Sequence, residues 1–274
     1  MEIINIPLGE GSVGIIRQIK IGDQLFAIKQ FKKGKFGQKE YSIHSILNHE
    51  NILRFIVGNE QFIVSELMLP YDLFEFLQRA GQMSVNASNC ILKQLVNALK
   101  YMHQLRIAHR DIKLENVLVD KFNYKIKLCD FNLCTKLDDG KVQKCIGTDG
   151  YIAPEINSIG SIDALNLQEC DIHSLGVLYY ILLFGSFPFK TSNSSCAIYK
   201  LIQQNKWEQF WLYSQKNKAK KVPPYCLELI KGMIAQHPRL RFTLDEILDR
   251  IGDINEIEYF NEMQDIHTRL KQKI

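Results

Sequence analysis

The chain has 274 residues, of which 46% are hydrophobic and 23% are charged, and its formal net charge is +4 at pH 7. A chain of this length and composition can bury a sizeable core, as one large or two small domains. No run of about eighteen apolar residues occurs, and no repeat or low-complexity tract separates further domains. The mild net charge gives no reason to expect a nucleic-acid or membrane partner.

Seven cysteines are scattered along the chain without the Cys-x-x-Cys spacing of a zinc or redox site. An odd number with this distribution argues against a disulfide framework and for a reducing compartment. The N terminus shows no signal peptide. We therefore expect a cytoplasmic protein, with the nucleus as the alternative location.

A glycine-rich segment, Gly9-Glu10-Gly11-Ser12-Val13-Gly14, is the first feature with chemical meaning. Dinucleotide-binding folds use the same G-x-G-x-x-G pattern, but there a helix follows the last glycine. Here residues 15–20 alternate into a turn at Gly22-Asp23 and then into residues 24–31, which predicts a β-hairpin. The glycine amides can fold over phosphates, and Ile16 would cover one face of an adenine.

The returning strand carries a lysine between apolar neighbours, Ala27-Ile28-Lys29. A lysine on a half-buried strand is unusual unless a charge partner meets it, although its side chain could also snorkel to solvent. We expect Lys29 to bind the α- and β-phosphates of a nucleotide, oriented by an acid on the next helix. Residues 36–47 have a helical pattern, and Glu40 is the candidate acid.

The stretch His109-Arg110-Asp111-Ile112-Lys113-Leu114-Glu115-Asn116 is followed fourteen residues later by Asp130-Phe131. Asp111 can orient an attacking hydroxyl and take its proton, and Lys113 can place positive charge beside a transferring phosphoryl group. Asn116 and Asp130 offer the hard oxygen ligands that Mg²⁺ needs alongside phosphate oxygens. Each motif alone more often marks a turn or a strand end, but their order and spacing predict phosphoryl transfer from a metal-bound nucleotide.

Two further motifs complete the series, Gly147-Thr148-Asp149-Gly150-Tyr151-Ile152-Ala153-Pro154-Glu155 and Asp171-Ile172-His173-Ser174-Leu175-Gly176. In this order the motifs resemble those of a eukaryotic protein kinase catalytic domain, over essentially the whole chain. The resemblance implies a bilobal α+β fold in a single kinase domain. Residues 1–67 would form a small β-rich N-lobe and residues 68–274 a larger helical C-lobe.

The resemblance also implies an activity. Lys113 and Thr148 match the serine/threonine kinases, so the implied reaction is transfer of the γ-phosphoryl group of Mg-ATP to Ser and Thr hydroxyls of protein substrates. The run that follows Asp171 is closest to the calmodulin-dependent and AMP-activated branches. An upstream activator or regulatory partner is expected. The alternatives are a pseudokinase that binds nucleotide or acts as a scaffold and, more remotely, a small-molecule kinase.

Further nucleotide contacts follow from the same resemblance. The segment Phe62-Ile63-Val64-Ser65-Glu66-Leu67-Met68 looks like the entry to the hinge between the lobes, where the backbone at Glu66 and Met68 would bond adenine. Ser65 falls at the position that gates the back of the pocket, which predicts an unusually roomy pocket. Asp72 matches the acid that contacts ribose, and Leu118 and Ala27 would sandwich the base.

Scaffold residues can be assigned in the same way. Glu155 resembles the acid that pairs with a buried arginine late in the chain, for which Arg241 is the match. Asp171 resembles the carboxylate that ties down the catalytic-loop backbone. Residues 256–274 are expected to form a helix on the large lobe.

Two departures from the family pattern bear on regulation. Asn132 replaces the glycine expected after Asp130-Phe131, at a hinge for which we expect a φ above zero, a region that Asn tolerates comparatively well. His44, one helical turn after Glu40, stands where relatives place an apolar residue against Phe55, His109 and Phe131. It either packs by its ring face or makes the helix sensitive to protonation near pH 6.5.

The activation segment departs as well. Arg110 resembles the arginine that clamps a phosphate in many relatives, yet residues 137–146 contain no Ser, Thr or Tyr, and Lys144 sits where the phosphosite often falls. Either the domain is active without that phosphate, or Thr135 substitutes for it. Asp138 or Asp139 could serve as a permanent acid.

Three surface or pocket features have competing interpretations. Cys129, next to Asp130, is either a reactive thiol in the nucleotide pocket or a small core residue. The basic run at residues 216–221 is more often a solvated face than a docking site for an acidic partner. Glu115 resembles the acid that favours basic residues upstream of the acceptor, but Ile181 stands where a second acid would be expected.

Overall fold

The computed structural model describes residues 2–11, 13–32, 36–143, 146–157, 160–215 and 222–272. Lys144 and the basic run at 216–221 lie outside the described residues. The strands are β1 Glu2–Glu10, β2 Gly14–Ile21, β3 Gln24–Phe31, β4 Phe55–Gly58, β5 Phe62–Glu66, β6 Ile107–Ala108, β7 Val117–Val119, β8 Ile126–Leu128, β9 Thr135–Lys136, β10 Lys141–Gln143 and β11 Ser161–Asp163. The α-helices are α1 Phe36–His44, α2 Leu73–Ala80, α3 Val85–Gln104, α4 Gln168–Phe184, α5 Ala197–Gln203, α6 Trp207–Gln215, α7 Pro224–Met233, α8 Leu244–Arg250 and α9 Glu256–Lys271.

The N-terminal part is an antiparallel sheet with the strand order β1-β2-β3-β5-β4 among the described residues. The predicted hairpin of β2 and β3 is confirmed, with Ile21 opposite Gln24 across a two-residue turn. Gly22 has a φ of 60° in that turn, a left-handed conformation that glycine adopts without steric cost. Helix α1 lies against β5 and ends at His44, before residue 47, where the sequence pattern placed its end.

The C-terminal part is built around α4, whose side chains are buried from Cys170 to Phe184. A helix that is apolar on all sides belongs in the interior of a helical layer, and α4 packs against α3 and α7. Gly176 makes the close contact with α7 possible. A Cβ at this position would lie 2.6 Å from Cβ of Met233 and 2.8 Å from Cγ2 of Ile234.

A buried ion pair ties the end of one loop to the helical core, as expected from the sequence. Nη1 of Arg241 donates to Oε1 of Glu155 at 2.6 Å, and Nη2 donates to Oε2 at 2.8 Å. The same guanidinium donates to the backbone carbonyls of Glu169 and Ala235. Burial opposes ionisation of Glu155, but its bonds with Arg241 outweigh burial and lower the pKa of this carboxyl group. A two-pronged pair with these extra acceptors is well satisfied.

Short two-stranded ladders pair β6 with β9, β7 with β8, and β10 with β11. The β7–β8 hairpin joins the segment before β4 through an isolated bridge between Leu128 and Ile52. It joins the segment before α2 through a bridge between Leu118 and Asp72. The small sheet, the larger helical part and these connections confirm the bilobal α+β fold expected from the sequence.

The expected helix over residues 256–274 corresponds to α9, which ends at Lys271 and packs on α2 and α3. Asn255 caps it, since its side chain accepts the backbone N–H groups of Ile257 and Glu258. None of the helices in the described part of the chain is long and apolar enough to cross a membrane.

The approach of α4 to α7 gives a stability prediction. We expect Gly176→Ala to lower the free energy of unfolding by about 1–3 kcal/mol, because overpacking outweighs alanine's better helix propensity. Urea denaturation followed by circular dichroism measures the change. Gly11→Ala is the matched control, because a Cβ there would meet no atom within 4 Å. Equal stability of the two variants would show that the helices can move apart without cost.

Candidate active site

One buried carboxylate fixes the loop that precedes β7. Asp171, in α4, is 1% exposed. Its Oδ2 accepts the backbone N–H of His109 at 2.8 Å, and its Oδ1 accepts that of Arg110 at 2.7 Å. Nε2 of His103 lies 3.0 Å from the same carboxylate. Arg110 has a φ of 69°, and a left-handed conformation costs an L-residue about 1–2 kcal/mol. The two bonds to Asp171 hold the loop in that conformation.

The side chain of Asp111 is held by three neighbours. Nδ2 of Asn116 donates to its Oδ2 at 3.0 Å and to its backbone carbonyl at 2.8 Å. Nζ of Lys113 lies 2.9 Å from Oδ2, and the hydroxyl of Thr148 donates to Oδ1 at 2.7 Å. Lys113 also donates to the Thr148 hydroxyl at 2.8 Å. The carboxylate is therefore oriented from both sides, with a cation beside it.

A second charged cluster is formed by Lys29, Glu40 and Asp130. Nζ of Lys29, on β3, lies 2.8 Å from both carboxylate oxygens of Glu40 and 2.9 Å from Oδ1 of Asp130. Burial disfavours the charged amine, but the two carboxylates outweigh it and raise the pKa of Lys29. The ammonium group is thus a fixed positive charge that joins the sheet, α1 and the segment after β8.

A cleft of about 330 Å³ separates the sheet from the helical part. Its wall includes most of the residues expected to bind nucleotide or metal, namely Gly11, Gly14, Ile16, Ala27, Lys29, Glu40, Glu66, Met68, Asp72, Asn116, Leu118 and Asp130. Gly9 is not among the lining residues. Asp111 and Lys113 lie beside the cleft, and their bonds to each other and to Asn116 connect them to it.

The glycines of the first motif have different structural reasons. A Cβ on Gly14 would lie 2.5 Å from the backbone carbonyl oxygen of Gln30, so the pairing of β2 with β3 requires glycine there. A Cβ on Gly11, by contrast, would meet no atom within 4 Å, and this glycine lies on the cleft wall. The space beside Gly11 is therefore open, although its N–H donates to the Gly14 carbonyl at 2.9 Å and its own carbonyl accepts from Nζ of Lys32 at 3.1 Å.

Three side chains shape the base and sugar end of the cleft. Ser65 is buried on the wall, where a small side chain leaves space. The carboxylate of Glu66 is bound by Nζ of Lys127 at 2.9 Å and by the backbone N–H of Arg54 at 2.7 Å. Asp72 caps α2 through the backbone N–H of Glu75, and burial raises its pKa to about 6.

The side chains of Asn116 and Asp130 fit a magnesium ion. Because the Asn116 amide nitrogen donates to Asp111, its oxygen is the atom left for a cation. The ion pair with Lys29 uses Oδ1 of Asp130, and not Oδ2. Two oxygen donors on the wall of a cleft of about 330 Å³ match the sparse protein coordination of Mg²⁺ in nucleotide sites.

The expectation for Asn132 is wrong, and for Cys129 the structure favours one of the two interpretations. The residue with a left-handed backbone is Asp130, with a φ of 64°, and Asn132 is not among the described residues with a positive φ. The Asn132 Oδ1 atom is instead buried without a hydrogen-bond partner in the described part of the chain. Cys129 lines the cleft, but burial and the neighbouring Asp130 raise the pKa of its thiol. A raised pKa leaves less of the nucleophilic thiolate, which favours the interpretation of Cys129 as a small core residue.

The activation segment is held without a phosphate. Nη1 of Arg110 donates to the Thr135 hydroxyl at 3.0 Å, and Nη2 donates to the Gln143 carbonyl at 2.6 Å. Thr135 is 1% exposed, so its hydroxyl is closed to a modifying enzyme in this conformation. Asp138 pairs with Arg106, not with Arg110, at 2.6 Å. The idea that Asp138 is the permanent acid for Arg110 is therefore wrong.

His44 packs where the sequence placed it. Its ring centroid lies 5.6 Å from that of Phe55 and 4.7 Å from that of Phe131, and Nε2 is 2.7 Å from the Leu53 carbonyl oxygen. Burial lowers the pKa of His44 from its ordinary value of 6.5 to about 4. The histidine therefore stays neutral near pH 6.5, which contradicts the protonation switch and favours simple packing.

Sequence reasoning missed three contributions to the site. Thr148 was used only to assign the acceptor class, but its hydroxyl bonds Asp111. Lys127 neutralises Glu66, and Tyr71 lines the cleft beside Asp72. The position of Thr148 within its motif was a usable signal, whereas Lys127 and Tyr71 stand in no recognisable pattern.

Comparison with known proteins covers both parts of the fold. The family profile described as protein kinase domain matches residues 4–251. Serine/threonine-protein kinase SAPK3 of Oryza sativa subsp. indica is 32% identical over 252 residues, which are 88% of this chain and 73% of that protein. Serine/threonine-protein kinase 33 of Bos taurus is 30% identical over 266 residues, with 88% of this chain and 53% of that protein covered. Serine/threonine-protein kinase SRK2C of Arabidopsis thaliana is 29% identical over 258 residues, with 90% and 73% covered.

The pKa of His44 leads to a prediction about acid stability. Between pH 6.5 and 4 the unfolded chain binds a proton at this histidine and the folded chain does not. The contribution of neutral His44 to the free energy of unfolding is therefore complete above pH 6.5 and is lost as the pH falls toward 4. Both proteins should lose free energy of unfolding when the pH is lowered from 7 to 5. We expect the loss in His44→Leu to be about 2 kcal/mol smaller than the loss in the wild type. Urea denaturation at both pH values measures this.

Other buried histidines titrate in both proteins, so the difference between the two losses isolates His44. Equal losses in wild type and His44→Leu would show that this histidine is protonated in the folded state.

Proposed function

Since the chain belongs to the protein kinase family and is a protein serine/threonine kinase, we propose that it transfers the γ-phosphoryl group of Mg-ATP to Ser and Thr hydroxyls of protein substrates, with Asp111 as the catalytic base. One observation carries the assignment of residues. The Lys29, Glu40 and Asp130 cluster lines the cleft, and the Asp111, Lys113 and Asn116 cluster meets the same cleft through Asn116.

Asp111 is suited to receive the proton of the acceptor hydroxyl. Asn116 and Thr148 fix the orientation of its carboxylate, so little reorganisation accompanies the reaction. Lys113, 2.9 Å from Asp111, places its charge where negative charge is spread over the transferring group. The Thr148 hydroxyl links both residues to the segment on which a peptide substrate would rest.

Lys29 is suited to bind the α- and β-phosphates, because Glu40 and Asp130 keep its ammonium group charged and directed into the cleft. Asn116 and Asp130 would hold magnesium, which when bound neutralises phosphate charge and helps to align the reacting groups. Ile16, Ala27 and Leu118 supply the apolar walls for the base. The backbone of Glu66 and Met68 and the carboxylate of Asp72 would bond adenine and ribose.

The pseudokinase alternative is not favoured. A domain that had lost catalysis would be expected to lack one or more of the five polar residues Lys29, Glu40, Asp111, Asn116 and Asp130, and all are present and in contact within their clusters. The two departures that could weaken the assignment, Asn132 and His44, leave these contacts in place.

We further propose that the domain is active without a phosphate on the activation segment. The Arg110 guanidinium, which would otherwise bind that phosphate, is engaged by Thr135 and Gln143. The β10–β11 ladder adds backbone bonds along the segment. Control would then depend on an upstream activator or regulatory partner that acts elsewhere. The free thiols of the described cysteines support the cytoplasm as the proposed location.

Phosphoryl transfer is the direct test. We expect wild-type protein, with ATP and Mg²⁺, to phosphorylate Ser and Thr in a mixed peptide library, and Asp130→Ala to lose at least about 10²-fold in rate, because it removes a charged group from the reacting centre. Transfer of ³²P measures both proteins. Treatment of the wild type with a phosphatase before the assay should leave its rate unchanged.

Transfer by the wild type that depends on Asp130 would support the proposal, and the library would give the acceptor preference. Failure of the wild type to transfer phosphate while it binds Mg-ATP would instead favour the pseudokinase. A rate that falls after phosphatase treatment would overturn independence from phosphate.

The small side chain of Ser65 yields a separate prediction about nucleotide choice. We expect the wild type to use N6-benzyl-ATP with a KM within about tenfold of its KM for ATP. Ser65→Met should raise the KM for the analogue at least about tenfold, because the larger side chain would fill the space behind the base. A tenfold change corresponds to about 1.4 kcal/mol. The KM for ATP should change little. A Ser65→Met protein that handles both nucleotides as the wild type does would refute the roomy pocket.

A further inference from the structure

The β7–β8 hairpin carries both of the candidate magnesium ligands. Asn116 immediately precedes β7, and Asp130 lies two residues after the end of β8. The Cys129 N–H donates to the Asn116 carbonyl at 2.9 Å, which closes the hairpin at the cleft end. The two strands have three residues each, so the distance from cleft to turn is only about 10 Å. The position of the turn and that of the two ligands are thus coupled through one short ladder.

The turn of this hairpin contains an unusual residue. Tyr124 has a φ of 57°, in the left-handed region that a bulky side chain rarely adopts. Its N–H donates to the Asp120 carbonyl at 3.1 Å, and the Asp120 N–H donates to the Lys125 carbonyl at 2.8 Å. These local bonds close the turn, but they do not explain why a tyrosine occupies this position.

Helix α9 supplies the explanation, because it contacts both the backbone carbonyl and the side-chain hydroxyl of Tyr124. The Tyr259 hydroxyl donates to the Tyr124 backbone carbonyl at 2.6 Å, and Nδ1 of His267 lies 3.1 Å from the Tyr124 hydroxyl. The Phe260 ring packs edge-on against the Tyr124 ring at 5.1 Å between centroids. Tyr259, Tyr124 and His267 are all buried. The left-handed turn is therefore fixed by contacts from a helix more than 130 residues away in sequence.

The same helix reaches the hinge side of the cleft. The His267 ring lies 6.1 Å from that of Tyr71, which lines the cleft, and 6.2 Å from that of Phe76 in α2. Near the middle of α9, the side chain of Glu262 accepts the backbone N–H of Ser84, the N-cap of α3. Helix α9 is thus anchored on α2 and α3 and contacts the hairpin from a fixed base. Residues 256–271 follow the segment matched by the kinase family profile, which ends at residue 251.

We propose that α9 is a brace for the metal site, in which Tyr259 and His267 act through Tyr124 as positioning residues for Asn116 and Asp130. The inference rests on the proposed function, because it assumes that those two side chains bind magnesium. Loss of either α9 contact would let the turn relax toward an ordinary backbone conformation, and the ladder would carry that change to the ligands. Nucleotide contacts made by the sheet would be left unchanged.

The test compares metal affinity and hairpin protection in full-length variants. Tyr259→Phe and His267→Phe each keep an aromatic ring and remove one hydrogen-bonding group. The Kd of Mn²⁺, titrated by electron paramagnetic resonance with a non-hydrolysable ATP analogue present, should rise about threefold to tenfold, as expected for the loss of one hydrogen bond. The Kd of the analogue without metal should change less than about twofold on the same scale.

Hydrogen exchange gives a readout that needs neither metal nor activity. Amides of residues 117–128 should exchange faster in Tyr259→Phe and His267→Phe than in the wild type. Glu262→Gln is the matched control, because its amide oxygen can still accept the Ser84 N–H and this residue does not contact Tyr124. His267→Asn, which keeps a polar group near the Nδ1 position, should restore part of the Mn²⁺ affinity lost in His267→Phe.

Unchanged exchange and unchanged Mn²⁺ affinity in both aromatic variants would overturn the brace. So would equal losses in Glu262→Gln, because they would mean that α9 only stabilises the helical part in general. A wild type that binds the nucleotide analogue but no Mn²⁺ would overturn the proposed metal site and, with it, the positioning role. If Tyr259→Phe and His267→Phe still showed faster amide exchange in the hairpin, the contact between α9 and Tyr124 would be supported. Only the assignment of the metal site would then have failed.

Discussion

The burial of one carboxylate in an apolar helix is the constraint on which the site depends. Asp171 lies in the buried part of α4, where most side chains are apolar and an unpartnered carboxylate would be costly. Its partners are the backbone N–H groups of His109 and Arg110 and the ring of His103. Because the carboxylate must be satisfied, the loop must approach α4 in one conformation. That conformation places Asp111 at the edge of the cleft, beside the groups that orient it.

The two clusters of the site have different kinds of support. The cluster around Lys29 depends on the sheet, on α1 and on the segment after β8. It therefore forms only when the sheet and the helical part are correctly positioned relative to each other. The cluster around Asp111 lies within the helical part and depends on short-range bonds to Asn116 and Thr148. Asp130 belongs to the first cluster by its ion pair and to the second by its hairpin. The β7–β8 hairpin therefore fixes the position of the phosphate-binding cluster relative to the cluster that would accept the proton.

The sequence was sufficient where chemistry is tied to local motifs. The β2–β3 hairpin could be predicted from spacing and residue type, whereas the fold class and the Glu155–Arg241 pair followed from the resemblance of the motifs to the protein kinase family. It was insufficient where packing between distant segments decides the outcome. In the turn at residues 120–125, Asn123 is the residue type that best tolerates a left-handed backbone, yet Tyr124 adopts it because α9 holds it there. Likewise, burial sets the pKa of His44 and of Cys129, and no motif encodes burial.

The bonds that hold the activation segment have a consequence for its response to salt. A phosphate bound to an arginine is an ion pair, which dissolved ions screen to the extent that solvent reaches it. Here Arg110 is bound by a hydroxyl and a carbonyl, neither of which carries a formal charge. The contact with Thr135 is buried, and the contact with Gln143 is partly buried. The bonds that Arg110 makes to this segment therefore depend little on ionic strength, whereas the exposed ion pair between Asp138 and Arg106 is weakened by added salt.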